Sequence, residues 1–155
     1  MAAKRPRGGP ARARRVRETP AAYSAGSGRL LVDTHVWLWW RAADSRLNRS
    51  ARDAITNAAE VHFSAASAWE LAIKRSLGKL RLPPGADVAA ALARDGFLTL
   101  PISVDHAIAA GGLPGIHRDP CDRMLVAQAR IEDLTLVTAD ALLARYDVPV
   151  LLAGK

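Results

Sequence analysis

Asp119 to Asp140, DPCDRMLVAQARIEDLTLVTAD, is the stretch whose reading decides the fold. Asp119 can cap a helix that carries Pro120 in its first turn and runs to about Glu132. Leu134–Thr138 then has the length and apolar character of a buried strand, and Asp140 falls two residues beyond it. The same alternation extends upstream. Arg29–Asp33 (RLLVD) reads as a strand ending in an acid, followed by helices over Thr34–Ala43 and Asn48–Ala59. Val61–Ser64 is a short strand leading to a helix over Ser67–Leu77 that Gly78 stops. Lys79–Gly85 is a loop, Ala86–Asp95 a helix, Leu98–Ile102 a strand, and Ser103 caps a short helix over Val104–Ala110. After the Gly111–Gly115 loop and the deciding stretch come a short helix, Ala141–Tyr146, and a last strand, Val148–Leu151. Short apolar strands alternating with helices predict a three-layer α/β fold: a mostly parallel sheet of four to five strands flanked by helices.

In such a sheet the active site lies beyond the carboxyl ends of the strands. Asp33, Glu70, Asp122 and Asp140 all fall at strand exits or near the starts of the adjoining helices. Four carboxylates gathered there repel one another unless a divalent cation neutralises them, and hard oxygen ligands suit Mg²⁺ or Mn²⁺. Each acid also has a local explanation. Ser67 and Glu70 have the spacing of a capping box, Asp119 and Asp122 can both serve the helix that starts between them, and Asp33 and Asp140 can each cap a helix on their C-terminal side. What separates a site from four caps is their convergence on one rim.

The bulk composition agrees with a single domain. The chain has 155 residues, half of them hydrophobic, enough for a core without disulfides. The one cysteine, Cys121, makes no internal bridge. The absence of a long apolar run and of a signal-peptide pattern predicts a cytoplasmic protein. The net charge of +7 is concentrated at the N-terminus, where residues 1–28 hold seven basic side chains against Glu18 alone. This segment reads as a basic, disordered extension, either nonfunctional or a nonspecific grip on nucleic acid, and residues 29–155 as the folded domain.

LLVDTHVWLWW from Leu30, SAASAWELAIKRSLGKLRLP from Ser64 and GIHRDPCDRMLVAQARIEDLTLVTAD from Gly115 together resemble the PIN domain, most of all the VapC-type toxins of bacterial toxin–antitoxin pairs. The resemblance runs from about Leu30 to Leu151. It implies that Asp33, Glu70, Asp122 and Asp140 are the catalytic, metal-holding acids, with Asp119 an extra acid of the subfamily. Cys121 stands where the family usually has an aromatic residue, a change expected to alter packing and not ligation. The implied activity is a Mg²⁺-dependent endoribonuclease in which metal-activated water attacks the phosphodiester in line, leaving 5′-phosphate and 3′-hydroxyl ends. A homodimer, an RNA substrate and a small antitoxin that covers the cleft are implied with it.

Around the acids, Thr34 and Thr138 are expected to orient water, and Arg118 and Arg123 to contact phosphates. Lys74 and Arg75 read as solvated helix positions, and His35 and His117 as structural or substrate-positioning. Trp37, Trp39 and Trp40 have the spacing of core or dimer-contact aromatics, with antitoxin binding or base stacking as alternatives. A metal-dependent phosphatase, or a PIN nuclease of RNA processing, is the competing function. Thr34 and His35 follow Asp33 where a haloacid-dehalogenase-type phosphatase needs a second Asp, which weakens the former.

Overall fold

The computed structural model describes residues 28–155; the basic extension read from the sequence lies, but for Gly28, outside them. The strands are β1 (Arg29–Val32), β2 (Glu60–Ser64), β3 (Leu98–Leu100), β4 (Thr135–Thr138) and β5 (Val150–Leu152). They form one sheet in the order β3-β2-β1-β4-β5, every pair parallel. The helices are α1 (Thr34–Arg41), α2 (Arg49–Asn57), α3 (Ala65–Ser76), α4 (Val88–Arg94), α5 (Val104–Gly111) and α6 (Pro120–Ile131), and Leu143–Arg145 is a 3-10 turn. The expected three-layer α/β architecture is therefore present, with the segment read as a last short helix reduced to that turn. Among the described residues no helix is long and apolar enough to cross a membrane.

The central strand explains the layering. Leu30, Leu31 and Val32 are fully buried, and successive side chains of a strand point to opposite faces. Leu30 and Val32 join Val36, Trp37, Ile55, Phe63, Leu71 and Leu92, the core under α1 to α4. Leu31 joins Leu125, Val126, Leu134, Leu136 and Leu143, the core under α5 and α6. Each such side chain contributes about 1.5–3 kcal/mol on burial, and a strand buried on both faces needs the unbroken apolar run that Leu30, Leu31 and Val32 supply.

The helix ends follow local chemistry. Asn48 caps α2 by accepting from Ala51 N (2.9 Å), and Ser103 and His106 form a reciprocal capping box on α5. The α6 helix closes without glycine. Asp133 takes a left-handed conformation (φ 54°), and Leu134 N donates back to Ala129 O (2.9 Å).

Arg123 proves to be a structural residue. Its Nη1 donates to Pro114 O (2.9 Å) and His117 O (3.2 Å), and its Nη2 to Ala110 O and Leu113 O (both 2.9 Å). Both terminal nitrogens of this side chain, expected from the sequence to contact RNA phosphate, are thus engaged by backbone carbonyls. The guanidinium satisfies carbonyls that the end of α5 and the following loop leave open, and Tyr146 Oη also donates to Pro114 O (3.0 Å). Arg123→Ala is expected to destabilise the domain by about 2 kcal/mol. Arg123→Lys should recover less than half of that, since one ammonium cannot span these carbonyls. Denaturant unfolding of the two variants measures both effects.

Candidate metal centre

The sheet order changes direction at β1 and β4, and beyond the carboxyl ends of those strands lies a hollow of about 310 Å³. Asp33, Glu70, Asp122 and Asp140 all line it, with His35 and Trp39. A larger hollow of about 580 Å³ between α3 and the start of α4 is lined by Ala68, Leu71, Ala72, Leu82 and Val88, walls with no carboxylate to hold a cation.

Asp33 directly follows β1. Its backbone N donates to Val137 O (2.9 Å), which places it beside Thr138, and its Oδ2 accepts from Thr138 Oγ1 (2.7 Å). It occupies the N-cap position of α1, yet its side chain makes no capping bond. With 5% of its surface exposed, burial raises its pKa, and the Thr138 hydrogen bond opposes the rise.

Glu70 is placed differently from the expectation. The α3 helix starts at Ala65, and Ser64, the last residue of β2, caps it by accepting from Ala66 N (3.0 Å). Ser67 is therefore inside the helix and buried, and no Ser67–Glu70 capping box exists. The extended backbone at Ser64 (ψ 146°) already has cap geometry, so the strand passes into the helix without a loop. Glu70, in the second turn, accepts from Thr34 Oγ1 (2.7 Å) through Oε2, and its Oε1 lies 2.5 Å from Lys74 Nζ. Lys74, read as a solvated helix position, is thus an ion-pair partner of a candidate ligand.

Asp119 and Asp122 divide the two roles that their spacing left open. Asp119 Oδ1 accepts from both Cys121 N (2.8 Å) and Asp122 N (3.2 Å), so Asp119 is the cap. The Asp122 carboxylate is left facing the hollow. Its pKa is pushed up to about 7, first by burial and then by the negative charges of Asp33, Asp119 and Glu70, with His117 opposing. Asp140 serves twice. Its Oδ1 accepts from Leu142 N (2.8 Å), as a cap does, while its Oδ2 lies 2.9 Å from His117 Nε2.

His117 is the member that spacing did not place among the candidate ligands. Its Nδ1 accepts from Asp119 N (3.0 Å), which puts the proton of the neutral ring on Nε2. That Nε2 faces Asp140 and stands 3.4 Å from Asp122 Oδ2, and His117, Asp122 and Asp140 present ligand atoms within 4.8 Å of one another. The only sequence signal is its position two residues before the capping Asp119.

The donor set fits a hard divalent cation. Asp33, Glu70, Asp122 and Asp140 bring carboxylate oxygens, with His117 the nitrogen donor beside them, and among the described residues no Lys or Arg forms a salt bridge to Asp33, Asp122 or Asp140. Asp122 is thereby held close to protonation, the condition a bound cation relieves. Burial and the nearby carboxylates push the Cys121 thiol up to about 11, and a thiol is a soft donor that hard divalent cations do not favour. Thr34 and Thr138 are buried, and each hydroxyl donates to a carboxylate and orients it. Arg118 is exposed beside the site. Trp37 and Trp40 pack on Phe63 and Phe97 as core aromatics, whereas Trp39 lines the hollow.

Fold and acidic edge together define an α/β protein of the PIN type, and the PIN domain profile matches residues 30–149. The chain belongs to the PIN domain family. It is 34% identical over 122 residues to ribonuclease VapC22 of Mycobacterium tuberculosis, covering 77% of this chain and 93% of that protein. VapBC2 from Rickettsia felis, solved on a promoter DNA fragment, superposes with a TM-score of 0.61 at 14% identity over 81% of this chain and 98% of that one. DNA-bound VapBC from Salmonella typhimurium gives 0.58 at 17% identity, over 80% and 97%. At these identities the two structures establish the fold.

Thr138→Val should keep the fold and weaken Mn²⁺ binding about 10–100-fold in calorimetry; unchanged affinity would remove the hydroxyl from the site. A second expectation concerns pH. With Asp122 raised to about 7 from the usual carboxylate value near 4, the folded state holds more protons than the unfolded one between those limits. Stability of the cation-free protein therefore falls as pH rises through that window. Asp122→Asn should remove much of the fall and gain about 1 kcal/mol at pH 8, a figure discounted for a side chain that is 22% exposed. Added Mn²⁺ should reverse the fall in the parent and not in the variant, read as melting temperature.

Proposed function

We propose that this chain is a metal-dependent endoribonuclease and the toxin of a toxin–antitoxin pair, holding Mg²⁺, or Mn²⁺ in its place, on Asp33, Asp122, Glu70 and Asp140. The observation that carries this reading is the unneutralised Asp33–Asp122 pair at the sheet's switch point, in a chain one-third identical to a ribonuclease over nearly that protein's whole length. Asp33 and Asp122 are the chief ligands, with Glu70 and Asp140 completing the site in part through water. A divalent cation there supplies Lewis acidity toward a phosphodiester and ionised water at neutral pH. The chain's own part is to orient and exclude. Thr138 fixes Asp33, Thr34 and Lys74 fix Glu70, and His117 fixes Asp140. With both His117 nitrogens engaged, the ring positions acids and is not a free general base.

The antitoxin is part of the same reading, since both solved neighbours are VapBC assemblies and a carboxylate-lined hollow attracts a guanidinium. A homodimer is too. Val104 (76% exposed) and Ile108 (70%) make an i, i+4 apolar stripe on α5, next in sequence to the edge strand β3 with exposed Leu98. In this reading the protein works in the cytoplasm and residues 1–28 are an extension outside the nuclease domain.

Asp33→Asn and Asp122→Asn should each reduce Mg²⁺-dependent cleavage of RNA by more than about 100-fold, beyond what loss of an outer hydrogen bond costs, and abolish growth arrest on induction. Full cleavage by either variant sinks the ligand assignment. Arrest that co-expression of the adjacent gene's product does not relieve removes the pairing with an antitoxin while leaving the nuclease.

A further inference from the structure

A second hollow, of about 470 Å³, opens against the acidic one and has the opposite character. Both are lined by His35 and Trp39, which form the wall they share. Thr34 and Lys74 also border the second hollow while contacting Glu70 in the first. Its other walls carry Arg46, Lys79 and Arg81, the latter two on the loop that follows α3. That loop is fixed at its start, where Lys79 N (2.8 Å) and Leu80 N (3.2 Å) both donate to Lys74 O. The hollow's volume is within the range of about 300–1,000 Å³ usual for sites that take small ligands.

The cations of this hollow differ in how they are engaged. Arg46 makes a two-pronged pair with Asp44 and lies over the Trp39 ring, 5.0 Å from its centroid. Lys74 is paired with Glu70. Lys79 and Arg81 are exposed, and among the described residues neither has an ion-pair or hydrogen-bond partner for its side chain. The hollow therefore offers two free positive charges next to an indole with a guanidinium laid over its ring. Phosphate on the cations and a base against the indole and guanidinium is the chemistry such a pairing serves.

We infer that this hollow holds the nucleotide next to the scissile phosphate of a single-stranded RNA, with its phosphate on Lys79 and Arg81 and its base against Trp39 and Arg46. The inference rests on the ribonuclease reading of the acidic hollow and deepens it. A strand whose phosphodiester sits among Asp33, Glu70, Asp122 and Asp140 must leave that hollow, and its next phosphate is covalently tied close by. The carboxylates repel it, so attraction has to come from the neighbouring wall, and the free cations are there. An acidic protein segment would also find them, but would gain less from the stacking surface.

The experiment compares the full chain with the variant Lys79→Glu/Arg81→Glu and with Arg94→Glu/Arg130→Glu, which changes net charge equally at exposed sites outside both hollows. Binding of a labelled single-stranded oligoribonucleotide in Ca²⁺ is measured by anisotropy at several salt concentrations, alongside Mn²⁺ calorimetry. The first variant should bind RNA at least about tenfold more weakly, with the salt slope reduced by roughly 0.7 for each phosphate it no longer neutralises. Its Mn²⁺ affinity should match the parent's. Trp39→Leu should weaken binding about tenfold with the salt slope unchanged, the mark of lost stacking. RNA binding by the Lys79/Arg81 variant equal to that of the control pair overturns the inference, whether or not the parent cleaves RNA. Normal RNA binding with lost neutralisation by a partner protein also overturns it, and assigns the hollow to that partner. A parent that binds RNA through these residues but does not cleave it refutes the nuclease reading, and with it the placement beside a scissile phosphate, and leaves the hollow as an RNA-binding site.

Discussion

A carboxylate stands at the end of the central strand, nearly closed off from water, and the arrangement around it makes an anion tolerable there. Asp33 follows three fully buried residues, so the chain has no freedom to swing it outward. Its backbone is tied to β4 through Val137 O, and the same pairing delivers Thr138 Oγ1 to its side chain. One charge-assisted hydrogen bond offsets part of the desolvation, and burial still wins, since the net shift is toward protonation. Because the sheet is parallel, strands β1 and β4 end on the same edge, and the acid two residues past β4 is brought to the acid one residue past β1. The site is a consequence of strand direction before it is a consequence of any side-chain contact.

That dependence explains what the sequence disclosed. Apolar runs of strand length ending in acids are visible in the letters, and a parallel sheet follows from their alternation with helices, so the rim and its four acids could be read together. Contacts made across the fold could not. Ser64 and Ser67 are equally good caps as letters; the choice fell to Ser64 because β2 ends there in an extended conformation. Arg123, next to a candidate ligand in sequence, looked like a phosphate contact, yet its partners are carbonyls of a loop that closes back on α6. The hydroxyls of Thr34 and Thr138 are used by acids distant in sequence, Glu70 and Asp33, a pairing that no local pattern discloses.

Net charge concealed the electrostatics in the same way. Outside the N-terminal extension the chain is nearly neutral in composition, but its charges are sorted in space. Carboxylates line one hollow, and Arg46, Lys74, Lys79 and Arg81 outnumber the single acid Asp44 in the next, with Trp39 and His35 between them. Lys74 touches both, since it lines the basic side and its ammonium pairs with Glu70. A balance of charges summed over a sequence says nothing about such a boundary, whereas a bound polyanion would experience it over a few ångströms.

The two acids at the start of α6 show how far local roles and site roles can be separated. Asp119 takes the cap, which frees the Asp122 carboxylate for the hollow, and its own backbone N–H goes to His117 Nδ1. That bond fixes the ring so that Nε2–H faces Asp140. Asp119 thus acts on the site through position: it starts the helix that presents Asp122, orients the imidazole that holds Asp140, and adds negative charge that helps raise Asp122. The extra acid that the sequence sets beside Asp122 is, in the structure, the residue that lets two of the four candidate ligands, Asp122 and Asp140, face the same point.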